Sequence, residues 1–137
     1  MSSKTPFLDT AREVMRTEAA ALETLADSLD ETFRAAIDLL LETKGRVIVT
    51  GIGKSGHIAN KIAATLSSTG TPAQFVHPAE ASHGDLGMVT RDDVVLAISN
   101  AGEAPELANM IAYARRFDIP LIGITKAPGS ALGRQCD

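Results

Sequence analysis

From Gly45 onward, short apolar β-branched runs alternate with stretches of helical periodicity. No other feature limits the fold as tightly. Residues 46–50, 73–76, 94–98 and 121–125 read as strands. Residues 57–68 and 106–116 read as helices; Gly70 and Pro72 close the first, and Pro105 opens the second at its favoured first position. Strands that are almost continuously apolar, with helices between them, require a parallel sheet covered on both faces. The expected class is therefore α/β: a three-layer, Rossmann-like or flavodoxin-like parallel sheet flanked by helices. Residues 130–137 look like the opening of a further helix after the fourth strand, which is expected of a piece of a longer protein.

The first third has a different rhythm. Leu8, Ala11, Met15, Ala19, Leu22, Leu25, Leu29, Phe33, Ile37 and Leu40 recur at helical spacing, and no Gly or Pro interrupts residues 7–44. Ser28-Leu29-Asp30-Glu31 fits a capping box, with Ser28 as the N-cap and Glu31 as the third helical residue. The segment therefore divides into two helices near 8–26 and 29–43, with Gly45 as the stop. The organisation expected is a helical segment 1–44 before an α/β domain 45–137.

Composition removes several function classes. A net charge of -4 with a pI near 5.3 leaves no basic footprint for nucleic acid. It still allows a small anionic ligand in a locally positive pocket. No apolar run approaches the ~20 residues that span a bilayer. Residues 1–6 precede no hydrophobic leader core, so no secretory signal is read there. A single cysteine, Cys136, excludes an internal disulfide and any multi-cysteine metal site. The expected location is the cytoplasm.

Ligands of open parallel sheets bind beyond the carboxyl ends of the strands. Two such junctions carry suitable residues. The first is Gly51-Ile52-Gly53-Lys54-Ser55-Gly56-His57. Its glycines let backbone approach a ligand, and the helix that follows offers free N–H groups and a positive dipole end. Ser55 adds a hydroxyl and Lys54 a charge. Gly51, Gly53 and Gly56 also satisfy G-x-G-x-x-G, a weak signal alone, and the second strand ends at His77-Pro78 without the acid that would hold a ribose. No P-loop spacing occurs. The second junction is Ser99-Asn100-Ala101-Gly102-Glu103-Ala104-Pro105-Glu106. Two such loops side by side make a two-sided anion pocket; the alternative reading is that both are ordinary βα turns with helix caps. Ala104 is a poor N-cap, so the second loop is not optimised for stability alone.

Between them, residues 76–88 are dense in His, Glu and Asp and poor in core residues. His77, Glu80, His83 and Asp85 can be read as zinc ligands, as proton-transfer groups, or as a polar surface loop.

Taken in order, Gly51-Ile52-Gly53-Lys54-Ser55-Gly56-His57, Ser68-Thr69-Gly70-Thr71-Pro72, residues 77–88 with His83-Gly84-Asp85-Leu86-Gly87-Met88, and Ile98-Ser99-Asn100 closely resemble the sugar-isomerase (SIS) domain. Within that group they are similar to the D-arabinose 5-phosphate isomerases. The resemblance implies aldose–ketose isomerisation between D-ribulose 5-phosphate and D-arabinose 5-phosphate, feeding the sugar acid Kdo of lipopolysaccharide or capsule. It implies no cofactor and no required metal, with His83 as a contact for inhibitory zinc. It implies a sugar phosphate as partner, and a homo-tetramer in which the SIS domain is followed by paired CBS domains. The catalytic positions it carries over are Lys54, His83 and Glu106; the phosphate and substrate positions are Gly53, Ser55, Gly56, Ser99, Asn100, Gly102 and Glu103. A later glutamate and histidine of the family have no counterpart before Asp137.

One departure matters. The family's second loop usually reads S-N-S-G-E-[ST], whereas Ala101 and Ala104 stand at its two hydroxyl positions here. At roughly 1.5–3 kcal/mol per hydrogen bond to a charged group, phosphate affinity falls more than about tenfold unless Ser55 and backbone N–H groups compensate. Two other readings stand beside the isomerase: a non-catalytic sugar-phosphate sensor, and a related enzyme such as a phosphohexulose isomerase.

Overall fold

The structure, a computed structural model, describes residues 6–137. The stretch read above for a leader therefore lies, except for Pro6, outside the described residues. The chain falls into two compact units, one ending at Ala35 and the other spanning Ala36–Asp137.

The first unit is dominated by α1 (Pro6–Ser28), and α2 (Glu31–Glu42) begins within it. The two-helix division is as expected, but the cap is not. Ser28 is the last residue of α1, and its hydroxyl donates to the Leu25 carbonyl at 2.7 Å. Asp30 opens α2 instead: its Oδ1 accepts from Thr32 N at 2.9 Å and from Thr32 Oγ1 at 2.6 Å. These bonds from the Thr32 hydroxyl and N–H hold the Asp30 carboxyl below the usual carboxylate range. A charged oxygen that takes two donors is a better cap than a serine already used by the preceding turn. No residue of α1 is buried within the chain, and Phe7, Met15, Leu22 and Leu25 are all more than half exposed.

The second unit is a four-stranded parallel sheet of β1 (Val47–Gly51), β2 (Ala73–Phe75), β3 (Val94–Ile98) and β4 (Leu121–Ile124) in the order β2-β1-β3-β4. This is the α/β class that the alternation of runs predicts. β1 and β3 are buried at every position because helices cover both faces. Side chains alternate between the two layers, as the strand period of two requires. Val47, Val49, Leu96, Ile98 and Ile122 face one layer, where Ala59 and Ala63 of α3 (Lys54–Ser68) pack with Leu39 and Leu40 of α2. Ile48, Val95, Ala97 and Leu121 face the other, against α4 (Pro78–Ser82), α5 (Ala108–Arg116) and α6 (Ala131–Gln135). Each fully buried Val, Leu or Ile contributes about 1.5–3 kcal/mol relative to exposure, so these layers dominate the stability.

The amino ends of β1 and β3 are pinned by one buried carboxylate. Asp93 accepts from Arg46 N at 2.7 Å and Thr90 N at 2.8 Å, with the Arg46 guanidinium at 3.5 Å. Burial alone would raise this carboxyl; the bonds from Thr90 and Arg46 outweigh it and hold the group below its ordinary value. Gly45 makes room for the arrangement, since a Cβ there would lie 2.5 Å from Asp93 Oδ1.

Residues 77–88 are the largest departure from expectation. They do not form a plain polar loop. Pro78–Ser82 is a short helix and Asp85–Met88 a 3-10 turn, and Pro78, Ala81 and Val89 are buried. Among the described residues, no helix is long and apolar enough to cross a membrane.

Candidate active site

The strand order reverses direction between β1 and β3. β1 leads outward to β2 on one side, whereas β3 and β4 lie on the other. Gly51 pairs with Ile98 at the carboxyl ends of these two strands. The two loops singled out in the sequence therefore leave the sheet side by side, at the switch point where α/β sheets bind ligands.

The first loop is shorter than expected. α3 begins at Lys54, not at residue 57, so only Ile52 and Gly53 separate strand from helix. Gly53 makes the turn with φ 60°, a conformation that disfavours side chains, and no side chain caps the helix. His57 N closes the first turn on Gly53 O at 3.1 Å. The N–H groups of Lys54, Ser55 and Gly56 thus sit at an uncapped helix start, the geometry that receives an anion. Gly56 has a packing role as well: a Cβ there would lie 2.7 Å from Gly51 O, so only glycine lets α3 approach the end of β1. Lys54 is exposed and Ser55 half-buried.

The second loop is held from behind. Ser99 is buried, and its Oγ accepts from Gly102 N at 3.1 Å. Thr125 Oγ1 and Lys126 N donate to Asn100 O at 3.1 Å and 3.2 Å. Gly102, with φ 70°, has no room for a side chain because Ser130 fills the space. Glu103 turns towards α6, where its Oε1 accepts from Ala131 N at 2.8 Å. Ser130 completes that helix start by accepting from Gly133 N at 3.1 Å. Glu103, expected to meet substrate, is thus bonded to the segment after β4, while Asn100 and Gly102 shape the loop. Pro105 opens a single 3-10 turn, Pro105–Leu107, and regular α-helix begins only at Ala108. Ala104 stands at the cap position with no capping bond from its side chain.

Glu106 lies exposed in this 3-10 turn. His83 ends α4, also exposed, with its backbone N bonded to Ala79 O and Glu80 O. The two elements belong to one flank: Ala81 shares a core with Leu107 and Met110, and Asn109 Nδ2 donates to Ser82 Oγ at 2.9 Å. Lys54 heads the helix on the opposite face of the sheet. Lys54 and Glu106 thus stand just after the carboxyl ends of β1 and β3, and His83 closes the short helix that follows β2.

The zinc reading of His77, Glu80, His83 and Asp85 fails. Among the described residues, no three His, Cys, Asp or Glu side chains come close enough to share a metal. Folding of residues 77–88 into a helix and a turn puts His77 and His83 at opposite ends of α4. His77 Nδ1 is already engaged, accepting from Ala79 N at 3.1 Å as the helix cap. That capping role was missed in the sequence, although a residue between a strand and a first-position proline is where such a cap falls.

The SIS domain profile matches residues 40–137. The chain belongs to the SIS domain family. Its relatives include the arabinose 5-phosphate isomerase KdsD of Francisella tularensis, 50% identical over 135 residues, and that of Pseudomonas aeruginosa, 48% identical over 137. These matches cover 96% and 100% of this chain but only 41% and 42% of those proteins, so the chain spans well under half their length. The structure of E. coli CFT073 c3406 in complex with arabinose 5-phosphate superposes on this SIS domain chain with a TM-score of 0.91 at 42% identity, covering 100% of this chain and 72% of that one. A Listeria monocytogenes structure described as a putative sugar-phosphate isomerase gives 0.92 at 30% identity, with coverage of 100% and 72%.

Proposed function

We propose that the protein interconverts D-arabinose 5-phosphate and D-ribulose 5-phosphate through an enediol. The carrying observation is the uncapped start of α3 at the switch point, with the Lys54 ammonium beside three free N–H groups. The first feature suits a phosphate and the second an enediolate. The named activity of the relatives and the arabinose 5-phosphate bound to the E. coli neighbour support the same reading.

In this reading the phosphate lies on the N–H groups of Lys54, Ser55 and Gly56, joined by the Ser55 and Ser99 hydroxyls. The reaction removes the proton from C2 of the open-chain aldose and returns one to C1. Glu106 is the base at carbon. Lys54 stabilises the negative charge that develops on the oxygens, and His83 carries the proton between O1 and O2. No electron leaves the sugar.

The full-length protein incubated with D-ribulose 5-phosphate in D2O tests this. D-arabinose 5-phosphate carrying solvent deuterium at C2 is the expected product, read by NMR. Binding without conversion overturns the isomerase in favour of the sensor. Conversion of a hexulose 6-phosphate alone overturns the pentose assignment.

A further inference from the structure

The second loop carries two glutamates three residues apart, and they stand in opposite situations. Glu106 is exposed, and its carboxylate makes no hydrogen bond with any described residue. Glu103 Oε1 accepts from Ala131 N at 2.8 Å. Among the described residues, this is the only side-chain hydrogen bond made by residues 103–106.

The chain between the two is stiff. Pro105 fixes its own φ near about −65° and restricts the residue before it to extended backbone. Ala104 has that backbone, with φ −62° and ψ 116°. Leu107 N closes the turn on Ala104 O at 3.1 Å, and the Leu107 side chain is buried in the core. Glu106 therefore stands between two fixed points, Leu107 in the core and Glu103 on α6. The α6 end of the tie is itself secured. Ser130 caps the helix by accepting from Gly133 N at 3.1 Å, and beyond its last turn the Asp137 carboxylate accepts from Arg115 Nη2 at 2.6 Å and from Leu121 N at 2.8 Å.

We propose that Glu103 is a positioning residue for the isomerisation, whose bond from the Ala131 N–H sets the place of the Glu106 carboxylate. It touches no substrate, and what it supplies is an acceptor oxygen, not a charge. The proposal rests on the isomerase reading above, with Glu106 as the base at carbon, and gives the two glutamates separate tasks. A base displaced by about an ångström loses about 10²-fold in rate, while the phosphate seat at the start of α3 is left as it was.

Three variants of the full-length protein test it. Glu103→Ala removes the acceptor. Ala131→Pro removes only the donor, because proline suits the first position of a helix, and Ser130, with φ −71° and ψ 172°, already has the extended backbone that precedes a proline. Glu103→Gln keeps a neutral oxygen where Oε1 stands. With D-ribulose 5-phosphate, Glu103→Ala and Ala131→Pro are each expected to lower kcat by about 10²-fold and to leave KM within about twofold. The double variant falls no further than either alone, since both break one bond. Glu103→Gln keeps kcat within about threefold of wild type. A glutamine variant as slow as the alanine one would assign the charge itself to the chemistry and overturn the positioning role. Normal kcat in Glu103→Ala or Ala131→Pro, or a loss confined to KM, overturns it as well and leaves the function standing. A wild-type protein that converts no pentose 5-phosphate overturns both.

Discussion

The two ends of the same strands are built on opposite terms. At the amino ends, Asp93 is buried and takes donors from Arg46 and Thr90, so its charge is answered inside the protein. At the carboxyl ends, α3 starts without a cap, Ala104 caps nothing, and Lys54 and Glu106 stand exposed. Polar groups that find partners within the fold stabilise it. Polar groups left without them remain available to a ligand. The contrast locates function more reliably than any single residue type, because carboxylates occur at both ends, Asp93 at one and Glu106 at the other.

Three substitutions break or sharpen this contrast. The largest effect is expected from Lys54→Ala in the full-length protein, where turnover falls by about 10³-fold and stability changes by less than about 0.5 kcal/mol. Near-normal turnover would remove Lys54 from the chemistry and weaken the assignment of the carboxyl end. The reverse pattern is expected at the other end. Asp93→Asn should cost about 2 kcal/mol by urea denaturation, because a buried carboxylate oxygen that accepted from Thr90 N becomes a donor facing a donor. Phosphate affinity should stay within about twofold, the sites being distant. The pH dependence has a definite sign. The Asp93 carboxyl lies below its unfolded value, so its contribution is complete above about pH 4 and disappears as pH falls through the lower folded value. The gap between wild type and Asp93→Asn therefore closes in acid; a gap that widens there would contradict the pin. The smallest effect is a gain. Ala104→Ser supplies the missing cap and should add about 0.5–1 kcal/mol to the unfolding free energy. If stability does not change, the first turn after the second loop lacks nothing that a hydroxyl can give.

Much of the fold is legible in the sequence because β-branched runs and helical periodicity speak for themselves. Val94–Ile98 is such a run, and Pro105 announces its helix. Legibility ends where tertiary contacts decide. Ser28 and Asp30 are both good caps by type, and only the path of the chain assigns the start of α2 to Asp30. Residues 77–88 look polar, yet Pro78 and Ala81, with Val89 just after, suffice to draw the segment into the core. The site follows the same rule. That Lys54, Ser55 and Glu106 stand just after strands could be read from the sequence. Glu103 could not be resolved, because its partner Ala131 lies 28 positions away. His77 is one of four candidate ligands in the sequence, and its role as the cap of α4, accepting from Ala79 N, emerges only with the fold.

The hold that residues 125–132 keep on the second loop has a consequence for how such domains can be recombined. Asn100 O is taken by Thr125 and Lys126, Gly102 O by Leu132 N at 3.0 Å, and Glu103 by Ala131, while Ser130 occupies the space beside Gly102. The loop after β3 is therefore not a detachable module. A graft that brings in the loop of another sugar-phosphate protein has to bring the stretch after β4 with it. The transplantable piece is the interlocked pair, two segments that the chain writes apart and the fold treats as one.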